Sequence, residues 1–398
     1  MSPMLPALIT LAAAIIGAVV LATTFRRMGR SRGTGAVTGA VTGALGSLIF
    51  MLPLNYCTFE PERRPIDIAI GTALIAIGMA LALWLVTWFA RHTRGGLAQL
   101  LITDTIPGSF KGWVWPLVLL TPTLVILLGF LYYPSLNTIW LSTQSSILGI
   151  SGTYPVCVDN YAAMFTDASY ARVLGNTALI TVATVGLSMA LGLLIALGAY
   201  QPLKGARIYR TLLIWPYAIS PVVAGIIFLL LFNPTGGIIN YGLRLLGIDG
   251  IRWLNSPQFA PWAIIIATVW KSMGFNILFY IAGLQNVPSD LKEAAAIDGA
   301  NVFQRFRHIV IPLLSPITFF LLITNTTYAI FETVGTIEYL TPGGGPLQST
   351  ETMMYRIYRV GVENLGGSSA QSIVLFLLVI GLTIFQFRSS GSKVNYGA

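Results

Sequence analysis

Residues 292–316 read KEAAAIDGANVFQRFRHIVIPLLSP and form the most helix-prone and most densely charged part of an otherwise apolar chain. Pro288 and Ser289 are expected to mark the start of a first helix, with Ser289 as its N-cap. A serine hydroxyl is suited to this position because it accepts a hydrogen bond from a free N–H group of the first turn. Glu293 and the alanines after it favour helix. Gly299 is expected to end this helix, since glycine adopts the left-handed conformation without steric cost.

A second helix is predicted directly after that glycine. Asn301 and Gln304 stand three residues apart, which is the spacing of a capping box, and Pro312 is expected to end the helix. Phe303 and Phe306 share one face of it. A helical hairpin with an apolar stripe and a charged rim suits a groove on another protein better than free solution.

The chain around this hairpin is typical of a polytopic membrane protein. Of its 398 residues, 55% are hydrophobic and 9% are charged, and the mean hydropathy is +0.76. A helix needs about 20 apolar residues to cross the hydrocarbon core. The predicted fold class is therefore all-α, with about nine transmembrane helices. The nine apolar windows are residues 4–25, 35–54, 66–90, 113–133, 173–199, 211–232, 260–284, 313–331 and 371–387.

Basic residues determine the predicted orientation, because cytoplasmic loops are enriched in lysine and arginine. With nine spans, 15 of the 23 basic residues fall on the side that holds the hairpin. We therefore expect the hairpin and the carboxyl terminus in the cytoplasm and the amino terminus outside. The excess of basic residues on the predicted cytoplasmic side accounts for the formal net charge of +9. No nucleic acid is therefore expected as a partner.

The chain divides near Gly96 into three spans followed by six. Residues 1–95 are predicted to be a three-span amino-terminal membrane extension, and residues 96–112 a cytoplasmic amphipathic linker. The second span carries small residues four apart, a spacing that lets two helix backbones approach closely. They serve either helix packing or a regulatory interface. These residues are Gly35, Gly39, Gly43 and Ser47.

The chain has two cysteines, Cys57 and Cys157, and both are expected in external loops. Two cysteines on the oxidising side of a bacterial membrane can form a disulfide, which would join the extension to the remaining spans. Two unrelated free thiols are the alternative, because a sequence does not supply the separation of the two Cβ atoms that a disulfide requires.

Common catalytic signatures are absent from the sequence. None of the five lysines follows a glycine, whereas a phosphate-binding P-loop requires that pair. His92 and His308 have no clustered carboxylate or thiol near them in the sequence, so neither a metal site nor a nucleophile–base pair is predicted. The chain is not expected to be an enzyme by itself.

The hairpin resembles the EAA signature of binding-protein-dependent ABC importer permeases. The resemblance lies in Glu293-Ala294-Ala295, Asp298-Gly299-Ala300, Phe306, Ile309 and Ile311-Pro312. Over residues 113–396 the chain is similar to carbohydrate-uptake permeases of the maltose type, and among these to the A-type permeases of sn-glycerol-3-phosphate importers and to glucosylglycerol permeases. Residues 1–95 have no counterpart in the short glycerol-phosphate permeases. The further similar segments are residues 212–234, 268–288, 331–359 and 368–396.

This resemblance implies the permease subunit of an ATP-driven importer in a bacterial inner membrane. Residues 113–390 would form a six-helix type I core, residues 286–312 the cytoplasmic coupling loop, and residues 391–398 a cytoplasmic tail. The implied partners are a second permease subunit, two ATPase subunits and an external solute-binding protein. ATP and Mg²⁺ would bind to the ATPases, and this chain would hold no cofactor or metal. The residues implied in coupling are Glu293, Ala294, Ala295, Asp298, Gly299, Phe303, Phe306 and Pro312.

Polar residues within the later spans form the predicted solute pathway, because transporters bind solute near the middle of the membrane. Hydrogen bonds between helices are the alternative role for these residues. Amide and aromatic groups suit a neutral sugar, and only Lys271 suits a phosphate, whereas the resemblance implies glucosylglycerol or sn-glycerol-3-phosphate. Another sugar such as a disaccharide, or a secondary transporter in place of an importer, are the remaining alternatives. The candidates are Lys271, Asn276, Tyr280, Asn325, Tyr328 and Glu332.

Overall fold

A computed structural model provides the three-dimensional structure. The predicted linker, residues 96–112, and the predicted tail, residues 391–398, lie outside the described residues. Of the apolar window 66–90, the structure describes helical residues at position 73, at 76–84 and at 86–88. The described residues are 4–27, 32–59, 73, 76–84, 86–88, 114–146, 154–201 and 204–390.

The first two helices pack against each other through small residues. Helix α1 spans Met4–Arg27 and α2 spans Arg32–Phe59. Gly39 lies so close to the backbone of Gly17 that a Cβ atom at either position would collide with the other helix, and a Cβ at Gly35 would lie 2.7 Å from the carbonyl oxygen of Leu21. The predicted packing role of the small-residue spacing is confirmed for these two helices.

A long helix and a short loop follow. Helix α3 comprises Val114–Ile126, a π-helical segment over Leu127–Tyr132 and a last part over Tyr133–Leu141. Two short antiparallel strands come next, β1 at Gln144–Ser145 and β2 at Tyr154–Pro155. Helix α4 then spans Asp159–Thr166.

The predicted span over residues 211–232 is broken in two. Helix α5, Ala168–Ala199, is continuous, but α6, Ala206–Ile214, runs into a 3-10 segment, Trp215–Ala218, and α7, Pro221–Leu231, then leaves at an angle of 100°. Ile219 is extended, the Ser220 side chain caps α7 and Pro221 occupies its first turn, so the backbone restarts a helix there. Helix α8 spans Ile238–Leu245.

A second bend lies between the polar hairpin and the span after it. Helix α9 is Ala260–Gln285, α10 is Ser289–Ile297, and α11 is Val302–Arg305. The helix of α11 continues through a π-helical stretch, Phe306–Val310, and a last turn, Ile311–Leu313. Helix α12, Ser315–Phe331, follows at 64°. The remaining helices are α13 at Thr333–Leu340, α14 at Met353–Glu363 and α15 at Leu365–Ser390.

Prolines explain the position of the second bend. Pro316 has no N–H group and cannot donate to the carbonyl of Pro312 one turn earlier, so a straight helix is disfavoured at this point. The Ser315 hydroxyl donates to that carbonyl instead, at 2.7 Å. The chain therefore passes through Pro312 in a helical conformation and turns at Leu314. The helix that Pro312 was expected to end runs one residue further, to Leu313.

The all-α membrane architecture is confirmed. Among the described residues, five helices are long and apolar enough to cross a membrane, or up to seven if each bent pair counts as one span. Six of these seven lie after Gly96, as predicted for the second part of the chain. Helix α2 and the described part of window 66–90 are helical but are not among the seven, so the total of nine stays a prediction.

Two compact units can be distinguished. One contains residues up to Ala163 together with Gly361–Ile373, and the other contains Met164–Val360 together with the residues from Val374 onward. The second unit has its own core, in which α9 packs along α5 and contributes Ile264 and Ile277, both fully buried. Both candidate functional regions lie within this unit, and the domain limits predicted from sequence stay predictions.

Candidate functional site

A cavity that polar and aromatic residues line opens inside the second unit between faces of α9 and α12. Helix α9 contributes residues 268, 271, 272 and 275, and α12 with the residue after it contributes 325, 328, 329 and 332. Both sets have the spacing i, i+3, i+4, i+7, so each lies on one face of its helix. The cavity volume is about 30 Å³, which is room for one or two water molecules and too little for a sugar.

A lysine–glutamate pair lies in this cavity. The Nζ atom of Lys271 is 3.4 Å from the Oε2 atom of Glu332 and 5.8 Å from the centre of the Tyr217 ring. The Lys271 side chain is 12% exposed and the Glu332 side chain 50% exposed. The carboxylate and the ring together stabilise an ammonium group that burial alone would disfavour.

Asn276 and Asn325 form an amide pair between α9 and α12. The Nδ2 atom of Asn325 donates to the Oδ1 atom of Asn276 at 2.6 Å and to the carbonyl of Leu321 at 2.7 Å. Helix α5 is pressed against this pair, since a Cβ atom at Gly192 would lie 2.6 Å from the Cβ of Asn276. The buried Asn276 therefore has the interhelical role that the sequence left open as an alternative.

The structure brings four of the six predicted pathway residues together. Lys271, Asn325, Tyr328 and Glu332 line the cavity. Asn276 and Tyr280 are buried in the core beside it and do not line it. The roles of all six in solute transport stay predictions.

Several cavity residues escaped the sequence reasoning. Three of them lie within one turn of Lys271 on α9: Thr268, Ser272 and Phe275. The helical period around Lys271 would have been enough to predict that they line the same cavity. Thr184 and Tyr217 come from α5 and from the 3-10 segment after α6, and no spacing in the sequence connects them with α9. The Thr184 hydroxyl is buried and has no hydrogen-bond partner among the described residues.

The polar hairpin is closed by a Schellman motif at the end of α10. Gly299 has φ +84°, its N–H donates to the carbonyl of Ala296 at 3.1 Å, and the N–H of Ala300 donates to Ala295 at 2.9 Å. These two bonds satisfy carbonyl groups that the helix end leaves free. Gly299 was correctly predicted as the end of the first helix.

The predicted capping box opens α11. The Gln304 N–H donates to the Asn301 side chain, and the Asn301 N–H donates to the Gln304 side chain, both at 2.8 Å. The predicted N-cap of α10 is wrong by one residue, because Pro288 occupies that position and makes no side-chain bond. The Ser289 hydroxyl donates instead to the carboxylate of Asp290 at 3.2 Å.

The hairpin presents apolar side chains to solvent. Ile297 is 87% exposed, Val302 74% and Phe303 67%. Phe306 points the other way and packs against the core around α9. Glu293 and Asp298 are exposed and form no ion pair with another described residue. The structure thus separates Phe303 from Phe306, which were predicted to share one face of the helix.

The hairpin is attached to the carboxyl end of α5. The Nζ atom of Lys292 donates to the Tyr200 hydroxyl at 3.2 Å and lies 5.5 Å from the centre of its ring. Arg210 donates to the last carbonyls of α5, at 3.0 Å to Ala199 and 3.3 Å to Tyr200. Because a helix end leaves these carbonyls without partners, Arg210 holds the end of α5 and, through Tyr200, the start of the hairpin.

The amino end of α5 is also held firmly. The Ser169 hydroxyl and backbone N–H donate to the Asp167 carboxylate at 2.7 and 2.8 Å. These bonds, with a smaller contribution from Arg356, keep the pKa of Asp167 below its ordinary value. Asn176 donates to the carbonyl of Gln348 at 2.8 Å. One helix therefore connects the loop before α14, the cavity at Thr184 and the hairpin at Tyr200.

That loop is itself rigidly bonded. Burial, followed by the hydrogen bond that Tyr355 donates to Glu338 at 2.7 Å, raises the pKa of Tyr355 to about 12. The Tyr355 hydroxyl consequently keeps its proton at any physiological pH and also accepts from the N–H of Gly343 at 2.9 Å.

Cys157 is one of the two cysteines of the chain. Cys157 is buried, has φ +58° and is disulfide-bonded. The side chain of Cys57 lies outside the described side chains, so its pairing with Cys157 stays a prediction. Within the described part of the chain, no three His, Cys, Asp or Glu side chains are grouped as metal ligands.

Known proteins share this architecture. A family model described as binding-protein-dependent transport system inner membrane component matches residues 188–389. The chain is 42% identical over 293 residues to the sn-glycerol-3-phosphate transport system permease protein UgpA of Rhizobium meliloti (strain 1021), with 72% of this chain and 98% of that protein covered. It is also 42% identical over 298 residues to UgpA of Yersinia enterocolitica, with 74% and 100% covered.

A solved structure shows the same fold. A chain of a bacterial alginate ABC transporter, crystallised in complex with an alginate pentasaccharide-bound periplasmic protein, superposes with a TM-score of 0.63 at 21% identity. The superposition covers 71% of this chain and 96% of the other. Likeness at this identity concerns the fold alone.

Proposed function

Because the chain belongs to the family of binding-protein-dependent transport system inner membrane components, we propose that it is the permease subunit of an ATP-driven importer, coupled through the α10–α11 hairpin to a separate ATPase. The observation that carries this proposal is the exposed apolar surface of the hairpin, formed by Ile297, Val302 and Phe303. Exposed apolar groups on a well-capped polar hairpin mark a docking surface.

The hairpin would transmit movement as a rigid body. Its Schellman motif and capping box fix the angle between α10 and α11. Movement of the exposed residues would therefore be transmitted to α9 and α12, the helices on either side of the hairpin. Glu293 and Asp298 would meet basic groups on the ATPase. Rocking of the spans would then open the solute path alternately to the two sides.

The proposed partners follow from this role. They are a second permease subunit, two ATPase subunits that bind ATP and Mg²⁺, and an external solute-binding protein. The chain would lie in a bacterial inner membrane with its amino terminus outside and its hairpin and carboxyl terminus in the cytoplasm. The basic residues on the hairpin side support this orientation.

The proposed solute is sn-glycerol-3-phosphate or a glycerol-containing sugar such as glucosylglycerol. Two kinds of observation support it: the names of the relatives at 42% identity, and a cavity that combines hydroxyl, amide and aromatic groups with one lysine. The cavity is closed to a sugar in this conformation, as expected of a path that opens only during transport.

Site-specific photo-crosslinking tests the docking role. A photo-reactive residue at Ala295 or Phe303 is expected to give a product with the ATPase subunit in membranes that contain the complete importer. The same probe at Leu347, an exposed residue of the loop before α14, should give none. Absence of any ATPase product from both hairpin positions contradicts the proposal.

Reconstitution tests the transport role. The chain should co-purify with the second permease and the ATPase, and the complex should hydrolyse ATP faster when loaded binding protein is added. A screen over sn-glycerol-3-phosphate, glucosylglycerol and common disaccharides identifies the solute. Solute uptake that continues without any ATPase subunit would instead favour a secondary transporter.

A further inference from the structure

The α1–α2 pair carries three arginines where α1 ends and α2 begins. Arg26 and Arg27 lie in the last turn of α1, and Arg32 is the first residue of α2. The two helices are packed closely at Gly17 and Gly39, so the basic groups of both helices are held near one another. This pair lies outside the part of the chain that matches the family model, and the proposed transport role does not account for it.

The three arginines line one open cleft. Its volume is about 630 Å³, which is in the range of small-molecule binding sites. Arg26, Arg27 and Arg32 are exposed, and none of them forms an ion pair with a residue that the structure describes. Guanidinium groups bind phosphate oxygens through paired, charge-assisted hydrogen bonds. The cleft therefore favours an anionic ligand, and a phosphate group in particular.

An apolar stripe of α1 continues the cleft away from the arginines. Val19, Ala22 and Thr23 line the cleft together with Arg26, and their spacing places them on one face of the helix. Ile15 lies one turn before Val19 on the same face, and the two residues are 57% and 59% exposed. Because α1 is a candidate membrane span, this stripe lies at the depth of the lipid tails and the arginines lie at the depth of the head groups.

We infer that this cleft binds an anionic phospholipid. The lipid phosphate accepts hydrogen bonds from Arg26, Arg27 and Arg32, and an acyl chain lies along Val19 and Ile15. Basic pockets between membrane-spanning helices bind anionic lipid head groups in this way. A free phosphate ion would use the arginines but would leave the apolar stripe uncovered, so the geometry favours a lipid.

The orientation of α1 in the membrane does not by itself explain the cleft. Basic residues anywhere near the cytoplasmic end of a span are enough to orient it. Here arginines of two helices converge on one space that also has an apolar wall. Such an arrangement is required by a ligand with a charged end and an apolar end.

Photo-crosslinking of the full chain in phosphatidylethanolamine vesicles tests the site. The probe is phosphatidylglycerol with a photoreactive acyl chain, and mass spectrometry measures the labelling of the α1 peptide. Labelling should saturate as the mole fraction of the probe rises. The half-saturating fraction should rise roughly 25-fold in Arg26→Gln/Arg32→Gln, since each arginine contributes about fivefold to the affinity for an anionic lipid.

A matched double variant controls for the loss of charge. Arg207→Gln/Arg388→Gln removes two exposed arginines on the same predicted side of the membrane, and its half-saturating fraction should stay within about twofold of wild type. The wild-type chain provides a test that needs no variant. The same probe built on phosphatidylethanolamine should not saturate, and excess inorganic phosphate should not displace phosphatidylglycerol.

Four results overturn the inference. They are an unchanged titration in the cleft variant, an equal loss in both double variants, equal saturation by the phosphatidylethanolamine probe, and displacement by inorganic phosphate. The second shows a general effect of surface charge, the third a site for any lipid, and the fourth a site for a free anion. Because the measurement requires no ATPase and no solute, each of these results leaves the importer role standing.

Discussion

The hairpin and the cavity differ in what holds them together. In the hairpin, the decisive bonds join residues close in sequence, such as Asn301 with Gln304 and Ala295 with Ala300. In the cavity, they join residues far apart, such as Lys271 with Glu332 and Asn276 with Asn325. The hairpin can therefore keep its shape while it moves, whereas the cavity changes whenever its helices shift.

This difference suggests that the two regions have different roles in transport. A locally stabilised hairpin is suited to receive a force, because hydrogen bonds within the hairpin fix its turn. A cavity built from several helices is suited to respond, because small helix shifts alter all its contacts together. Variants at the exposed positions of the hairpin should therefore impair coupling without unfolding the protein, and variants in the helix contacts near the cavity should impair stability.

The largest effect is expected at Gly299. Gly299→Asp places a side chain at φ +84°, a conformation that costs about 1–2 kcal/mol for a residue other than glycine, and it adds charge to the docking surface. A Cβ atom there would meet no described atom within 4 Å. The variant should assemble in the membrane but lose solute-stimulated ATP hydrolysis. Glu293→Lys, which reverses a charge on the same surface, should behave likewise.

Gly247→Asp is the matched control for the backbone cost. Gly247 also has a positive φ, +75°, and open space around it, but it follows α8 and is not part of the hairpin. ATP hydrolysis by the importer that carries Gly247→Asp should still be stimulated by the solute. If both glycine variants lose stimulation equally, the effect comes from backbone strain and the assignment of Gly299 to docking fails.

The same contrast explains how much the sequence could predict. The capping box and Gly299 were predictable because their bonds span three to five residues. Asn325, Tyr328 and Glu332 were predictable as a group because they share a helix face. Hydropathy predicted the six later helices. It did not predict the 100° break at Ser220, because the mean hydropathy of a window contains no information on where a proline interrupts a helix.

Helix geometry also explains why Asn276 and Tyr280 lie away from the cavity. At about 100° per residue, Asn276 is rotated by about 140° from Lys271 on α9, and Tyr280 by about 180°. Their polarity suggested a solute path, but these angles place both residues on a different face of α9 from Lys271. Thr184 and Tyr217 required knowledge of which helices become neighbours, and that depends on tertiary packing.

A large loss of stability is expected from Gly192→Val. A Cβ at this position would lie 2.6 Å from the Cβ of Asn276, so α5 and α9 would have to separate. Overpacking of this kind costs about 1–3 kcal/mol, and the amide pair behind it would be disturbed as well. The thermal midpoint of the purified permease should fall. Gly198→Val, on the same helix in open space, should leave it unchanged.

Equal thermal midpoints for the two glycine variants would contradict the close packing of α5 on α9. They would also remove the basis for treating the cavity as the region whose stability depends on helix contacts. Recovery of the Gly192→Val variant by Asn276→Gly would strengthen the assignment, because glycine lacks the Cβ atom that the added side chain would meet.

An intermediate effect is expected from two aromatic residues three positions apart. Phe303→Ala removes an exposed ring and should weaken ATPase binding by about 2 kcal/mol, as at an interface anchor, with an unchanged thermal midpoint. Phe306→Ala removes a ring that packs on the core and should lower the midpoint. Titrated pull-downs with the ATPase and thermal unfolding in detergent measure the two effects. Identical profiles would mean that the hairpin does not have two distinct faces.

The smallest effect is expected where the two regions meet, at Tyr200. Tyr200→Phe removes the hydroxyl that accepts from Lys292 at 3.2 Å but retains the ring, whose centre is 5.5 Å from the same ammonium group. One such hydrogen bond contributes about 0.5–1.5 kcal/mol. Because the ring contact is retained, the loss should lie near the lower end of this range, and solute-stimulated hydrolysis should fall roughly twofold, with basal hydrolysis unchanged. Tyr209→Phe, at an exposed ring on α6, is the control. If both variants match wild type, α5 does not carry movement from the hairpin to the cavity, and the signal must pass through α9 or α12 alone.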